Sequence, residues 1–309
     1  IAGHLRDARH IVLVLADGLG VGDVDRLPRS TWLRSRMLRA IRAPFPTTTP
    51  VAITSLATGE YPSQHAILGW WTHFPAIEAP VTVFAHERAT DNRGLGQLNV
   101  TTATLLPGPL LFPRLTRDTA LIMPAGIIDS VFTRWMAGDA RRIGYHGQNE
   151  VVVATIERVR HADQPTFTYL YTPMPDTVMH EAGIDSSAAA AAIDTLDAHL
   201  EAIEEALEDI RGGVRILVIA DHGHLAIDGS ARLEVADGDS VCSLLRVPPA
   251  GDLRTQYWHL KPGAHAEFEM QFRERLGEHF LLLSAATVED LRLLGPAPLS
   301  AETRARLGD

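Results

Sequence analysis

Three stretches of the chain are rich in apolar, aromatic and β-branched residues and do not alternate with polar positions. They read IVLVLA from residue 11, TFTYLY from residue 166 and VRILVI from residue 214. Continuous runs of this kind predict strands of a parallel sheet that are buried on both faces. An aspartate lies at or just past the end of each run. In open α/β sheets, binding sites form beyond the carboxyl ends of the strands.

The segment between the second and third runs has a different period. Its apolar residues recur at spacings of three and four, which places them on one face of a long helix before Gly212. The members of this stripe are Ile193, Leu196, Leu200, Ile203, Leu207 and Ile210.

Weaker patterns predict further elements. Shorter helices are expected over residues 150–161, 264–276 and 287–294, and strands over residues 254–263 and 279–284. The alternation of strands and helices predicts an α/β fold with a mostly parallel sheet.

Two stretches interrupt this alternation. Residues 72–123 are rich in Pro, Gly and Thr, and residues 228–252 are rich in Gly and Asp. Both are interpreted as irregular insertions that form a small cap. The chain as a whole, residues 1–309, is expected to be a single catalytic domain.

The amino-acid composition limits the classes of partner and site that the chain can have. The net charge of −10 disfavours a nucleic acid polymer as partner, although a bound metal ion can still attract a small anionic substrate. Cys242 is the only cysteine, which excludes an internal disulfide and a cysteine-rich zinc site. No apolar run reaches the roughly 20 residues of a membrane span. A cytoplasmic location fits, and a secreted protein whose signal was removed also fits, because the chain begins at Ile1 rather than Met.

The residues after the predicted strands are typical metal ligands. They are Asp17, Asp176 with His180, and Asp221 with His222. Carboxylates and imidazoles suit Zn²⁺ or Mn²⁺, and bound cations relieve the repulsion among clustered carboxylates. Taken singly, each residue also fits a helix cap, a solvated helix face or a turn.

A run of threonines supplies a candidate nucleophile. In FPTTTPVAITSLATG, Thr49 precedes Pro50, and proline is favoured in the first turn of a helix. Thr49 is therefore predicted to be the N-cap of a helix whose N–H groups attract anions. A threonine hydroxyl at such a position, near a metal ion, can act as a nucleophile. Thr47 and Thr48 are assigned to the preceding loop.

The ordered set of motifs resembles a known family. Asp17-Gly18, the threonine segment followed by EYPSQHAILGWW, and then PDTVMHEAG and ADHGH are similar to the alkaline phosphatase superfamily. The closest resemblance is to its type I phosphodiesterase/nucleotide pyrophosphatase branch, over about residues 11–225. It implies a three-layer α/β/α fold and two metal ions, usually zinc, with manganese as an alternative.

The resemblance also implies a role for each matching residue. Thr49 matches the nucleophile, which forms a covalent phospho-threonine. Asp17, Asp221 and His222 match the ligands of the metal ion that activates it. Asp176 and His180 match two ligands of the second ion.

Three departures from the family pattern affect the expected site. Family members have a later ligand histidine followed by glycine; here that residue is expected beyond Asp309, or else His259 or His224 substitutes for it. The asparagine that often follows the nucleophile helix is absent, and Trp70 and Trp71 offer an aromatic wall instead. Cys242 does not lie in the motif that sulfatases require.

These features predict a metal-dependent hydrolase of small phosphorylated substrates, of the phosphodiesterase type. A phosphomonoesterase and a phosphonate hydrolase remain alternatives within the superfamily. A phosphoryl transferase is disfavoured by the lack of membrane spans. A metal-depleted binding protein is the alternative from another class.

Overall fold

The computed structural model describes residues 2–106, 108–227, 233–236 and 238–309. Its strands are β1 (His10–Ala16), β2 (Trp71–Phe74), β3 (Ala79–Thr82), β4 (Glu87–Arg88), β5 (Asp118–Pro124), β6 (Arg141–Tyr145), β7 (Thr166–Thr172), β8 (Val214–Ile219), β9 (Ala250–Gly251) and β10 (Gln256–Tyr257).

The α-helices are α1 (Ala2–Leu5), α2 (Val21–Arg26), α3 (Trp32–Arg36), α4 (Thr49–Thr58), α5 (Pro62–His65), α6 (Thr102–Leu105), α7 (Val131–Ala137), α8 (Gln148–Arg160), α9 (Asp176–Ala182), α10 (Ser187–Ala206), α11 (Ser240–Ser243), α12 (His265–Arg275), α13 (Ala285–Asp290) and α14 (Ala301–Leu307). Short 3₁₀ helices cover Pro75–Ile77, Leu95–Leu98 and Phe112–Arg114. Within the described ranges, no helix is both long and apolar enough to cross a membrane.

The single domain predicted from the sequence divides into two compact units. The first consists of Ile1–Ala43 and Leu110–Ala226, and the second of Pro44–Pro109 and Ile227–Asp309. Each unit is assembled from two separate stretches of chain. Local sequence patterns report single elements, so they did not reveal this division.

A parallel sheet forms the centre of the first unit. Among the described residues it has five strands in the order β6-β5-β7-β1-β8, and each pairing is parallel. All seven residues of β1 are buried, as the continuous apolar run predicted. The three strands predicted from the sequence are the neighbours β7, β1 and β8, so their carboxyl ends share one edge. The predicted α/β class with a parallel central sheet is confirmed.

The long helix packs on one face of this sheet. The apolar stripe of α10 lies in the same hydrophobic core as Val12 and Val14 of β1, together with residues of α8. Leu196, Leu200 and Ile203 are buried in this core. The 3–4 spacing thus correctly identified the face of α10 that contacts the sheet.

The second unit contains an antiparallel sheet with the strand order β10-β9-β2-β3-β4 among the described residues. Strands β2, β3 and β4 come from the insertion predicted at residues 72–123. The same predicted insertion also contains β5, which belongs to the parallel sheet. The proline- and glycine-rich composition around β5 hid this strand. Of the second predicted insertion, 228–252, residues 228–232 and 237 lie outside the described residues.

The last third of the chain departs most from the sequence predictions. The strand predicted over 279–284 is wrong: this segment has no strand, and Leu281 is 81% exposed. The strand predicted over 254–263 shortens to the two residues of β10. An apolar run forms a strand only where a neighbouring strand supplies partners for its backbone hydrogen bonds. The helices predicted over 264–276 and 287–294 correspond to α12 and α13.

Candidate metal centre

Three aspartates lie just beyond neighbouring strands of the parallel sheet. Asp17 directly follows β1, Asp221 comes two residues after β8, and Asp176 begins α9 shortly after β7. Because β7, β1 and β8 are adjacent and parallel, the sheet delivers all three residues to its carboxyl edge. This is the edge at which open α/β sheets form their sites.

Asp17 and Asp221 are both buried, at 2% and 3% exposure. Oδ2 of Asp17 accepts a 2.6 Å hydrogen bond from the Tyr171 hydroxyl. Oδ1 of Asp221 accepts hydrogen bonds from the backbone N–H groups of Gly18, at 3.1 Å, and His222, at 2.9 Å. Oδ1 of Asp17 and Oδ2 of Asp221 have no hydrogen-bond partner in the part of the chain that the structure describes. Each carboxylate therefore has one oxygen that is held and one oxygen available to a ligand.

His222 lies beside both of these available oxygens. Its Nε2 is 3.5 Å from Oδ1 of Asp17 and 3.5 Å from Oδ2 of Asp221. Its Nδ1 is 3.2 Å from the carbonyl oxygen of Gly223. A carbonyl can only accept, so Nδ1 carries the proton in this contact, and Nε2 is the ring nitrogen that faces the two carboxylates.

These three ligand atoms fit a tetrahedral cation. Zinc ligands lie about 2.0–2.2 Å from the ion, which puts two ligands of a tetrahedral site about 3.4 Å apart. The 3.5 Å spacings around His222 match that geometry. A histidine whose second nitrogen bonds a carbonyl is the usual arrangement of an oriented metal ligand. Three electron-rich atoms facing one another favour a positive charge between them.

The electrostatics of Asp17 agree with this fit. Burial is the largest effect that raises the pKa of Asp17 well above its usual range, and the negative charges of Asp221 and Asp176 raise it further. The hydrogen bond from Tyr171 acts in the opposite direction. A bound cation would reverse the balance and keep the carboxylate ionised.

Asp176 anchors a second, more exposed group. Its Oδ1 lies 2.8 Å from Nε2 of His224 and 3.4 Å from Nε2 of His180. The His180 side chain is 68% exposed, whereas that of His224 is 12% exposed. One ligand atom from each of Asp176, His222 and His224 lies within 4.8 Å of the others. His224, named from the sequence only as a substitute, is thus closer to Asp176 than His180 is.

The pKa of Asp176 is lowered. Burial alone would raise the pKa of this carboxyl, but the hydrogen bond from His224 and the charges of the neighbouring histidines outweigh burial.

Gly18 allows the cluster around Asp176 to approach the cluster of Asp17, Asp221 and His222. Its φ of +72° lies in the left-handed region that favours glycine. A Cβ at this position would stand 2.6 Å from Nε2 of His224 and 2.9 Å from Cβ of Asp176. Any other residue would displace the side chains that surround Asp176.

The threonine segment begins helix α4, one position earlier than predicted. Thr48 is the N-cap and has an extended backbone, so Thr49 is the first helical residue and Pro50 the second. The prediction that Thr49 is the N-cap is therefore wrong by one residue. Thr49 is 8% exposed, and α4 ends at Gly59 in the left-handed conformation.

The other candidate residues lie in the second unit. Trp70 is 39% exposed and makes an edge contact with Phe84, while Trp71 begins β2 and is half-buried. His259, the other suggested substitute ligand, is buried, and its ring centroid lies 3.8 Å from that of His73. His259 belongs to none of the ligand clusters found among the described residues.

A serine nucleophile paired with histidine is also disfavoured. Ser55 Oγ lies 2.9 Å from Nε2 of His65. Nδ1 of His65 accepts the N–H of Ile67, so the proton of the ring is on Nε2 and is donated to Ser55. A histidine that donates to the hydroxyl cannot remove its proton. His65 is buried at 1% exposure and has a structural role.

Sequence reasoning missed Tyr171 as a partner of Asp17. The signal that could have identified it is the register of the parallel strands. Tyr171 is the penultimate residue of β7 and pairs with Leu15 of β1, two residues before Asp17. That register is known only once the neighbouring strands are known.

The fold and this cluster together define an α/β enzyme with candidate metal ligands at the carboxyl edge of a parallel sheet. The chain belongs to the type I phosphodiesterase/nucleotide pyrophosphatase family, whose model matches residues 11–239. Membership makes the protein a hydrolase of phosphoester bonds. No curated protein matches the sequence at a significant level.

Solved structures of similar fold include human ectonucleotide pyrophosphatase/phosphodiesterase 5, with a TM-score of 0.67 and 15% sequence identity. The murine protein of that name has a TM-score of 0.62 and 15% identity. An inactive threonine-to-alanine variant of the murine protein in complex with AMP has a TM-score of 0.64 and 15% identity. Each comparison covers 96% of this chain and 76% of the other.

Proposed function

We propose that the protein is a metal-dependent phosphodiesterase that uses Thr49 as its nucleophile. The observation that carries the metal dependence is the arrangement of Asp17 Oδ1, Asp221 Oδ2 and His222 Nε2. Two buried carboxylate oxygens without hydrogen-bond partners among the described residues face one imidazole nitrogen at 3.5 Å. A divalent cation would bind all three atoms and would offset the charge of the two carboxylates.

The candidate ligands are assigned to two cations. Asp17, Asp221 and His222 are assigned to the first cation, which we take to be zinc, with manganese as the alternative. Asp176 is assigned to the second, with His180 and His224 as further ligands. Divalent ions at such a site supply Lewis acidity and stabilise the charge of the attacking and leaving oxygens.

The surrounding groups fix the ligands in place. Tyr171 holds Oδ2 of Asp17, and the backbone N–H groups of Gly18 and His222 hold Oδ1 of Asp221. This leaves a single oxygen of each carboxylate to bind the cation. Such outer hydrogen bonds orient metal ligands and contribute to metal affinity.

Thr49 would attack phosphorus in line with the leaving group. The bond from Thr49 Oγ1 to phosphorus forms as the bond to the leaving oxygen breaks, and the proton of the Thr49 hydroxyl passes to solvent water. The leaving oxygen departs with the electron pair and takes a proton from water. Water then cleaves the phospho-threonine ester and regenerates the hydroxyl. The assignment rests on the sequence motif and on the position of Thr49 in the first turn of α4, where backbone N–H groups favour an anion.

The structural neighbours suggest a nucleotide-type substrate. The murine neighbour was solved with AMP, and its threonine-to-alanine variant is described as inactive. By analogy, we infer a small phosphodiester as substrate and a threonine as the essential hydroxyl. The exposed ring of Trp70 is available to stack on an aromatic group, and Trp71 would support it from β2.

The test compares two chromogenic esters. Purified protein is stripped with a chelator, supplied with Zn²⁺ or Mn²⁺, and assayed with bis-p-nitrophenyl phosphate and p-nitrophenyl phosphate. We expect metal-dependent hydrolysis with a higher kcat/KM for the diester. A higher kcat/KM for the monoester would support a phosphomonoesterase. No hydrolysis, together with no metal uptake, would support a binding protein instead.

A further inference from the structure

A cavity of about 200 Å³ lies within the first unit, between the parallel sheet and helix α10. Its inner wall consists of Val14 of β1, Leu170 of β7, and Leu200 and Ile203 of α10. Each of these four side chains is at most 1% exposed. The inner part of the cavity is therefore surrounded by aliphatic side chains of the hydrophobic core.

The opening of the cavity lies at the carboxyl edge of the sheet. It is formed by the exposed residues 146–148, at the end of β6 and the start of α8, and by Pro173 and Met174, which follow β7. Asp176 comes two residues after Met174, within about 7 Å along the chain. The cavity thus opens beside the segment that carries Asp176 to the candidate metal centre.

Two polar groups in the lining of the cavity are already engaged in hydrogen bonds. The hydroxyl of Tyr145 donates to the carbonyl oxygen of Tyr171, and Oγ1 of Thr172 accepts the N–H of Met174. Burial lowers the pKa of His199, so this ring is neutral near pH 7. At the opening, the Glu150 carboxylate accepts the N–H of His146, which places a negative charge at the start of α8. Among the described residues that line the cavity there is no Lys or Arg, and the inner wall offers apolar surface to a neutral ligand.

We propose that this cavity binds the apolar part of a small uncharged molecule, namely a single aromatic ring or a short alkyl chain. A cavity of about 150 Å³ lined by Leu, Ile and Phe remains dry and binds benzene or xenon. The present cavity is larger, and its inner wall has the same aliphatic kind of lining, whereas its opening is polar. Its ligand contacts Pro173 and Met174, so binding there orders the chain that leads to Asp176. This site is separate from the metal ligands and does not depend on the reaction proposed for them.

Toluene provides a direct probe of this proposal. At a concentration about tenfold above its Kd, we expect toluene to raise the Tm of the wild-type protein by about 2–4 °C. Ala192→Leu, which fills the cavity from α10, should abolish this shift. Ala191→Leu introduces the same side chain at the neighbouring exposed position and should retain the full shift.

Crystals of the wild-type protein under xenon pressure locate the site independently of any variant. We expect xenon density between Val14, Leu170 and Leu200. The proposal is overturned if toluene leaves the wild-type Tm unchanged, if Ala192→Leu folds and shows the wild-type shift, or if no xenon enters this cavity.

Discussion

The two oxygens of each buried carboxylate have different surroundings in this protein. One oxygen of Asp17 and one of Asp221 are held by a tyrosine or by backbone N–H groups, and the other faces His222. A purely structural aspartate normally satisfies both oxygens with hydrogen bonds. The division between a held and an available oxygen favours the proposed role of metal ligand over that of a helix cap.

Removing the charge of Asp17 separates metal binding from folding. In Asp17→Asn, the amide oxygen can still accept the hydroxyl of Tyr171, while the repulsion with Asp221 and Asp176 disappears. We expect the metal-free variant to be at least as stable as the metal-free wild type. Zinc at a hundredfold excess over Kd should stabilise the wild type by about 2.7 kcal/mol and the variant by much less.

Thermal unfolding with and without zinc measures both effects. Asp23→Asn is the matched control, because Asp23 is also buried and bonds the Gly20 N–H, but it belongs to no ligand cluster among the described residues. That control should keep its zinc response. A zinc response in Asp17→Asn equal to that of the wild type would remove Asp17 from the metal site.

Among the elements, three neighbouring strands of the parallel sheet were the most predictable. β7, β1 and β8 are continuous apolar runs, and their parallel pairing explains why residues distant in sequence converge at one edge. Strand β5 was missed because its flanking segments resemble a loop. The start of α4 was displaced by one residue, since Thr48 and Thr49 have equal preferences for the N-cap and only the backbone of the folded chain distinguishes them.

The candidate ligand clusters could be predicted only in part. Asp17, Asp176, Asp221 and His222 followed from the sequence because strand ends and motifs are local features. The proximity of His224 to Asp176 depends on the turn after β8 and on the close approach at Gly18. Such contacts between turns leave no periodic signal.

The buried side chain of Arg306 links helix α14 to other segments of the second unit. Arg306 is 2% exposed and donates to the carbonyl oxygens of Ala66, Thr104 and Leu105. Its guanidinium also lies 5.2 Å from the ring centroid of Phe74. Arg306→Ala would leave three carbonyl groups without their donor. We expect it to lower the free energy of unfolding by about 3–5 kcal/mol.

Urea denaturation of Arg306→Ala and Arg304→Ala tests this role. Arg304 lies on the same helix, but its side chain is 53% exposed and pairs with Glu289 on the surface. Its replacement should cost no more than about 1 kcal/mol. Equal losses in the two variants would contradict the anchoring role of Arg306.

For the whole molecule, bound cations would reconcile the acidic net charge with phosphoester chemistry. A chain with a net charge of −10 repels an anionic ester, and a site that gathers three carboxylates repels it further. Divalent cations at the candidate centre would invert the local sign and make the edge of the sheet attractive to a phosphodiester. Family membership fixes the reaction class, while the proposal of Thr49 as nucleophile rests on the threonine motif and on its position in the first turn of α4.

The Thr49→Ala variant tests the central claim most directly. Its kcat/KM for bis-p-nitrophenyl phosphate with zinc should fall by at least about 10³-fold, because removal of a nucleophile eliminates the covalent route. Thr47→Ala, which alters an exposed threonine of the same run, should retain near wild-type activity, and both variants should keep the wild-type zinc content. A Thr49→Ala protein with normal zinc content and a kcat/KM within tenfold of the wild type would contradict the assignment of Thr49 as the nucleophile.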